Sequence, residues 1–313
     1  MTFAAVVVTY NRKTLLEECI RSLLLQEQKL DAIYVINNAS TDGTDKFFET
    51  GGIFSNVGSI RHIKLEKNLG GAGGFNYGIR QAYQDGFEWI WVMDDDTIPT
   101  ESALLAFKNA IDFLPPKVGF LASNVRSIED TPMNIPIVKL DNHADSGYPD
   151  WSEFLAKGAV KIEQATFVSV LINRDAVAAV GLPYTPFFIW GDDTEYTLRI
   201  THHFGDGYLI GDSVAIHKRA TIKDIDIQHE TNKNRIGMYY YLFRNNLVSC
   251  HAYHGGTKQA LRYIFRFNKK AFRLLVKPGV QFRLKKFLAI QKGIFGYLFG
   301  GYNREEFKKR FTI

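Results

Sequence analysis

The first hundred residues alternate between apolar runs that end in polar turns and stretches whose apolar positions recur at helical spacing. FAAVVVTYN predicts a buried strand, KTLLEECIRSLLLQE a helix, and DAIYVINNASTDGT a second strand entering a turn. IRHIKLEKN predicts a third strand, followed by a glycine-rich turn, a helix through FNYGIRQAYQDG and the strand EWIWVMDDD. This alternation predicts an α/β fold with a mostly parallel sheet and helices on both faces. Such sheets bind ligands beyond the carboxyl ends of their strands. TYNR, NNASTDGT, NLGGAGG and residues 94–96 all fall at that edge.

From about residue 120 the pattern is mixed. TPMNIPIVKLDNHADSGYPDW reads as a long loop or a small antiparallel excursion, ATFVSVLINRDAVAAVG as strand plus helix, PYTPFFIWGDDTEYTLRITHHFG as loop plus helix, and YLIGDSVAIHK as a strand. The chain is helical from Met238 onward, with a break near Pro278. A catalytic domain over 1–250 and a basic helical region over 251–313 are expected.

Composition narrows the class. A chain of 313 residues with 46% hydrophobic content can build a sizeable core. Cys19 and Cys250 show neither a CxxC nor a zinc-ligand spacing, which suits reduced thiols in a cytoplasm. The N-terminus lacks a signal-peptide pattern, and no run of about 18 apolar residues suggests a bilayer span. The net charge of +5 conceals an asymmetry: residues 258–313 hold 15 Lys and Arg against Glu305 and Glu306, which is +13, leaving −8 for the rest. Basic residues there alternate with Phe, Leu, Ile and Tyr, predicting amphipathic helices on an anionic membrane surface. No nucleic-acid module accompanies the charge, so nucleic acid is not expected as a partner.

Three stretches carry chemistry. Residues 70–78 hold five glycines in nine positions, which lets backbone approach a ligand closely. They are not a dinucleotide fingerprint, because the first strand-helix turn is TYNRKT and the third glycine position holds Asn76. Asp94, Asp95 and Asp96 follow an apolar strand, and two carboxylates about 4 Å apart repel by about 4 kcal/mol at an effective dielectric near 20. A hard cation, Mg²⁺ or Mn²⁺, that takes few carboxylates and completes its shell with substrate phosphates relieves that repulsion. In WGDDTE, Asp192 and Glu195 have the spacing of a capping box, which leaves Asp193 unexplained. The helix N-terminus lowers the pKa of Asp193 and the neighbouring acids raise it, so an ionised base is expected there. His217 taken alone is more often structural than a ligand.

Together, VVVTYNR, NNASTDGT, NLGGAGGFNYGI, WVMDDD, WGDDTE and His217 resemble the inverting family 2 glycosyltransferases, over roughly residues 3–250. The similarity is nearest the galactofuranosyltransferase and rhamnosyltransferase branch. It implies a GT-A, Rossmann-like fold with Thr9, Tyr10 and Arg12 flanking the nucleotide, Asn38 meeting the base and Asp42 as the second acid of that turn. It further implies that Asn68, Gly70, Gly71, Gly73 and Gly74 line the sugar diphosphate, and that Asp94, Asp96 and His217 hold the metal. Asp95, Trp190, Asp192 and Glu195 are then substrate-binding, Asp193 is the general base, and Arg244 in YYYLFRNN contacts acceptor or pyrophosphate. The WDDxE pattern of the branch carries one extra residue here, Gly191, which displaces Trp190 but keeps Asp193 in register when counted from Glu195.

The resemblance implies transfer of galactofuranose from UDP-galactofuranose to a polysaccharide or a polyprenyl-diphosphate-linked glycan, by an enzyme peripheral to the inner face of the plasma membrane. A rhamnosyltransferase using dTDP-rhamnose is the alternative within the class. A non-catalytic carbohydrate- or cation-binding module is the alternative outside it.

Overall fold

The computed structural model describes residues 1–143, 145–219 and 225–300. The end of the basic region, 301–313, with Arg304, Glu305 and Glu306, lies outside the described residues.

The N-terminal half follows the predicted alternation: β1 (Phe3–Thr9), α1 (Lys13–Leu24), β2 (Ala32–Asn37), β3 (Ile60–Lys64), α2 (Gly70–Gln84) and β4 (Trp89–Asp94). Strands β1 to β4 pair in parallel in the order β3-β2-β1-β4. β1, β2 and β4 are nearly all apolar because both faces are covered, whereas the edge strand β3 carries Arg61, His62 and Lys64. Phe3, Ala5 and Val7 of β1 point into one core with α1, while Ala4, Val6 and Val8 point into another with α2.

The rest of the sheet is mixed. It comprises β5 (Thr97–Pro99), β6 (Val118–Arg126), β7 (Ile137–Val138), β8 (Ala159–Gln164), β9 (Val168–Asn173) and β10 (Asp206–His217), with α3 (Ala103–Phe113), α4 (Arg174–Val180) and α5 (Asp192–His203) on its faces. β6 and β10 are parallel, but β9 runs antiparallel between β4 and β6. β8 and β5 are also antiparallel to β10. The parallel arrangement predicted for most of the sheet is therefore confined to β1 to β4 and the β6–β10 pair. Local alternation of strand and helix carries no information about which strand β9 inserts between.

Helices α6 (Tyr239–Tyr253), α7 (Gly256–Val276) and α8 (Arg283–Leu298) form a third core with Ala72, Tyr184 and Phe187. Residue 250, the expected boundary, lies inside α6, whose buried face is continuous with that core.

The glycine-rich stretch is not the predicted turn, because α2 begins at Gly70. A β-carbon on Gly74 would lie 2.5 Å from Val8 Cγ1, and one on Gly78 would lie 2.3 Å from Val6 Cγ1. These two glycines, one helical turn apart, let α2 lie directly on β1. Gly78→Ala should therefore cost about 1–3 kcal/mol by overpacking, whereas Gly58→Ala, with nothing within 4 Å of the added carbon, should be close to neutral. Urea denaturation of both variants checks this; equal stability of the two would refute the packing argument.

Candidate active site

The three carboxylates share a turn built by strand pairing. β4 ends at Asp94 and β5 starts at Thr97, so Asp95 and Asp96 form the connection. β5 pairs antiparallel with the end of β10, His217 standing opposite Thr97, and the Lys218 amide donates to the Asp96 carbonyl at 2.8 Å. β10 reaches this position past a bulge between Ile210 and Val214. A histidine more than 120 residues along the chain is thereby brought beside the acid turn.

The charge in the turn is distributed unequally. Arg12 Nη1 donates to Asp95 Oδ1 at 3.2 Å and to Asp96 Oδ2 at 2.6 Å, and Thr9 Oγ1 donates to Asp95 Oδ2 at 2.7 Å. Burial nevertheless pushes Asp95 up to about 6, against the pull of Arg12 and Thr9. Burial, with Asp96 and Asp95 beside it, drives Asp94 well above the usual carboxylate range. Asp96 is the exception: burial opposes ionisation, but His217 and Arg12 hold it below that range.

His217 Nδ1 lies 2.8 Å from Asn134 Oδ1, an acceptor, so Nδ1 carries a proton and Nε2 faces Asp96. Nε2 is 3.2 Å from Asp96 Oδ1, a buried oxygen that accepts no hydrogen bond. Protonated, the imidazole pairs with the Asp96 carboxylate; neutral, it leaves two electron-rich atoms converging on one spot, which fits a cation. Among the described residues no group of three or more His, Cys, Asp or Glu side chains is arranged to hold a metal ion. Asp96 and His217 would thus supply two ligands and leave the others to water and substrate, the coordination a hard divalent ion accepts.

The second acid group opens α5. Asp192 and Asp193 occupy the first turn, and Asp192 lies near enough for its charge to add to the rise of Asp94. Burial, with Asp193 and Glu195 nearby, drives Asp192 well above the usual range. Burial also raises Asp193, although the amides of Thr194 and Phe167 bond to it. Desolvation, acting in the same direction as neighbouring acids, thus outweighs the amides at the helix terminus.

Glu195 does not cap the helix. Its two oxygens accept from Arg199 Nε at 2.9 Å and Nη2 at 2.6 Å, and Oε1 also accepts from the Tyr253 hydroxyl at 2.7 Å. It is fully buried and ties α5 to α6.

The loop entering α5 is strained: Phe188, Trp190 and Gly191 all have positive φ, at 61°, 61° and 96°. Bulky residues rarely occupy that region unless their surroundings enforce it. Asn245 supplies much of the enforcement, its amide nitrogen donating to the carbonyls of Phe187, Ile189 and Trp190. Arg244 donates to the Pro186 carbonyl, and Phe188 stacks on Tyr241. At the other side, the Phe188 carbonyl accepts from the Ala72 amide. Gly70, with φ of +72°, leaves room for that carbonyl, which would otherwise lie 2.1 Å from a β-carbon.

Residues 4–157 match the sequence profile described as Glycosyl transferase family 2. Over those residues, just under half of the chain, the protein is a family 2 glycosyltransferase. Among curated proteins, the chain is similar to the galactofuranosyltransferase GlfT1 of Mycolicibacterium smegmatis, 28% identical over 63% of this chain and 64% of that one. It is also similar to the poly-beta-1,6-N-acetyl-D-glucosamine synthase of Staphylococcus epidermidis, 27% identical over 55% of this chain and 39% of that one. The match spans less than two thirds of either relative. Among solved structures, GalNAc-T7 with UDP, GalNAc and Mn²⁺ shares the fold with a TM-score of 0.62 at 14% identity, over 95% of this chain and 56% of that one. S. aureus TarS 1-349 does so with a TM-score of 0.53 at 14% identity, over 97% and 93%.

Several residues carried over by resemblance have work within the protein. Asn38 accepts from the Leu69 amide and donates to the Gly70 carbonyl, both at 2.8 Å, so its amide clamps the turn before α2 instead of offering an open edge to a base. Asn68 accepts from the Gly70 amide. Asp42 accepts from the Lys13 amide and from Thr44, bonds that hold it below the usual range against burial. Gly73 faces Leu69 and Gly74 faces Val8, whereas Gly71 stands 3.9 Å from Asp192 Oδ2 when given a β-carbon. Tyr10 and Arg12 remain half exposed at the edge. Asn134 and Asn245 escaped the sequence reading, since a single Asn in a loop or helix has no periodicity to mark it.

Asp192 also has a measurable consequence. Because its folded pKa is raised, the folded state binds more protons, and stability is lost as pH climbs from the usual carboxylate range through that pKa. Asp192→Asn should raise the Tm at neutral pH in metal-free buffer, about 2–4 °C for each kcal/mol recovered, and leave it unchanged below about pH 4. Calorimetry across pH checks this, and a lowered Tm at neutral pH would contradict it.

Proposed function

We propose that the chain transfers a sugar from a nucleoside diphosphate donor to a hydroxyl of a glycan acceptor, with inversion at the anomeric carbon. The observation that carries the reading is the turn of residues 94–96 at the carboxyl end of β4, with Asp192 at the start of α5 near enough for its charge to raise Asp94. One carboxylate group can serve the leaving phosphate side, and the other can serve the attacking oxygen.

Asp193, buried enough to hold its pKa up and bonded on one oxygen by the Thr194 amide, takes the acceptor proton. Arg12, half exposed and fixed by Asp95 and Asp96, turns its remaining donors toward the diphosphate. Mn²⁺ or Mg²⁺ held by Asp96 and His217 supplies, when bound, positive charge that offsets the charge on the leaving group. Asn134 keeps His217 in the tautomer that leaves Nε2 free to bind. The acceptor oxygen displaces the diphosphate in a single step, because no carboxylate is needed as a nucleophile.

Similarity to the GlfT1 galactofuranosyltransferases supports UDP-galactofuranose as the donor. A glycan on polyprenyl diphosphate is the proposed acceptor. Mass spectrometry of reactions with UDP-galactofuranose, UDP-galactopyranose, UDP-N-acetylglucosamine and dTDP-rhamnose, with and without Mn²⁺, should show turnover of the first alone. Preference for another donor would replace the sugar, and turnover of none would favour a binding module.

Asp193→Asn should lower turnover about 10²- to 10⁴-fold while leaving UDP affinity intact. In the wild type the base is active when ionised, so kcat/KM should rise with pH through an acid limb displaced above the usual carboxylate range. Unchanged turnover in the variant would remove Asp193 from this role.

A further inference from the structure

Helices α7 and α8 carry the same exposed pattern. In α7, Leu261, Phe265, Phe272 and Val276 stand at i, i+4, i+11 and i+15, and in α8 and the residue after it so do Leu284, Leu288, Phe295 and Phe299. At 100° per residue each set falls within about 60° of arc. These eight side chains are between 45% and 79% exposed. The opposite faces, with Ala260, Ala271 and Leu274 on α7 and Ala289, Ile290 and Ile294 on α8, form the third core. The stripes are therefore additional to what the bundle needs for its own packing.

The two helices lie antiparallel, with Gln291 bonded to Asn268 and Phe287 against Phe272. Both stripes accordingly run along one pair of neighbouring rods. Beside them stand exposed Lys258, Arg262, Lys269, Arg273, Lys285 and Lys292. No Asp or Glu occurs anywhere between Glu230 and Glu305. Exposed apolar rows flanked by one sign of charge are complementary to a surface that is apolar beneath and anionic above. An aqueous protein partner would need acids to match the rim and a groove to match the rows, whereas a bilayer supplies both along its whole extent.

We infer that the outer face of α7 and α8 docks on an anionic lipid bilayer, the apolar rows entering the acyl boundary and the Lys and Arg side chains meeting lipid phosphates. Among the described residues no helix is long and apolar enough to cross a membrane, so the contact is interfacial. This inference does not depend on which sugar the site transfers. The inner sides of the same helices hold the segment that follows β10, through Lys270 Nζ to Asp226 at 2.7 Å and Lys286 Nζ to the Gln228 carbonyl at 2.9 Å. The docking face and the chain leaving His217 thus share one support.

The test is co-sedimentation of the full chain with vesicles of phosphatidylcholine alone or with roughly 30 mol% phosphatidylglycerol. Binding is expected only to the anionic vesicles and should fall in high salt. Phe265→Ser with Phe295→Ser should weaken it at least tenfold, and Lys285→Glu with Lys292→Glu at least about fivefold per charge, on the order of 1 kcal/mol each. Thermal unfolding of the variants at the wild-type temperature separates lost docking from lost folding. Equal recovery on both vesicles, or variants that bind as the wild type does, would overturn the inference. So would absence of binding; if light scattering then shows a dimer that the Phe265 and Phe295 changes dissolve, the face belongs to a second copy of the chain.

Discussion

One guanidinium makes the rest of the site possible. Arg12 bonds both Asp95 and Asp96, so two carboxylates that would repel across a turn are held by a common cation, and the third, Asp94, is left to protonation. The division of labour is electrostatic. Asp96 stays ionised between Arg12 and His217, Asp95 sits near its titration point, and Asp94 is suppressed by burial. A turn with three equivalent acids would have no fixed charge to build a site around.

The second acid group is held by different means. Asp192 and Asp193 owe their position to a backbone in an unfavourable conformation, and that conformation is kept by hydrogen bonds from α6. Desolvation at α5 and strain before it both raise the free energy of the folded chain, and the third core of α6, α7 and α8 offsets them. The C-terminal helices thus help to hold the acid group of α5, although sequence periodicity alone separates them as an appendage at residue 250.

Strands, helices and the carboxyl-edge loops were legible because period and turn chemistry are local properties. The insertion of β9, the pairing of β5 with β10 and the consequent approach of His217 to Asp96 were not, because each depends on contacts between distant segments. At the site, the acids could be read from their unusual clustering. Their protonation could not, since burial decides it and burial of Asp193 follows from packing. The glycines show both sides: their density signalled close approach, but at Gly74 and Gly78 the approaching group is a strand of the same protein. Asn38 likewise stood in the right loop, and its amide is occupied by the turn before α2.

The pairing of β5 with β10 also sets an order of events during synthesis. The acid turn leaves the ribosome early, yet its histidine partner follows more than 120 residues later, and the helices that hold the α5 entry loop come later still. Until β10 docks, the three carboxylates have only Arg12 and Thr9 for company. The nascent chain therefore passes through a long interval in which β1 to β4 can pair but Asp96 and His217 cannot meet. The approach of His217 to Asp96 and the hold of α6 on the loop before α5 are thus late events of folding.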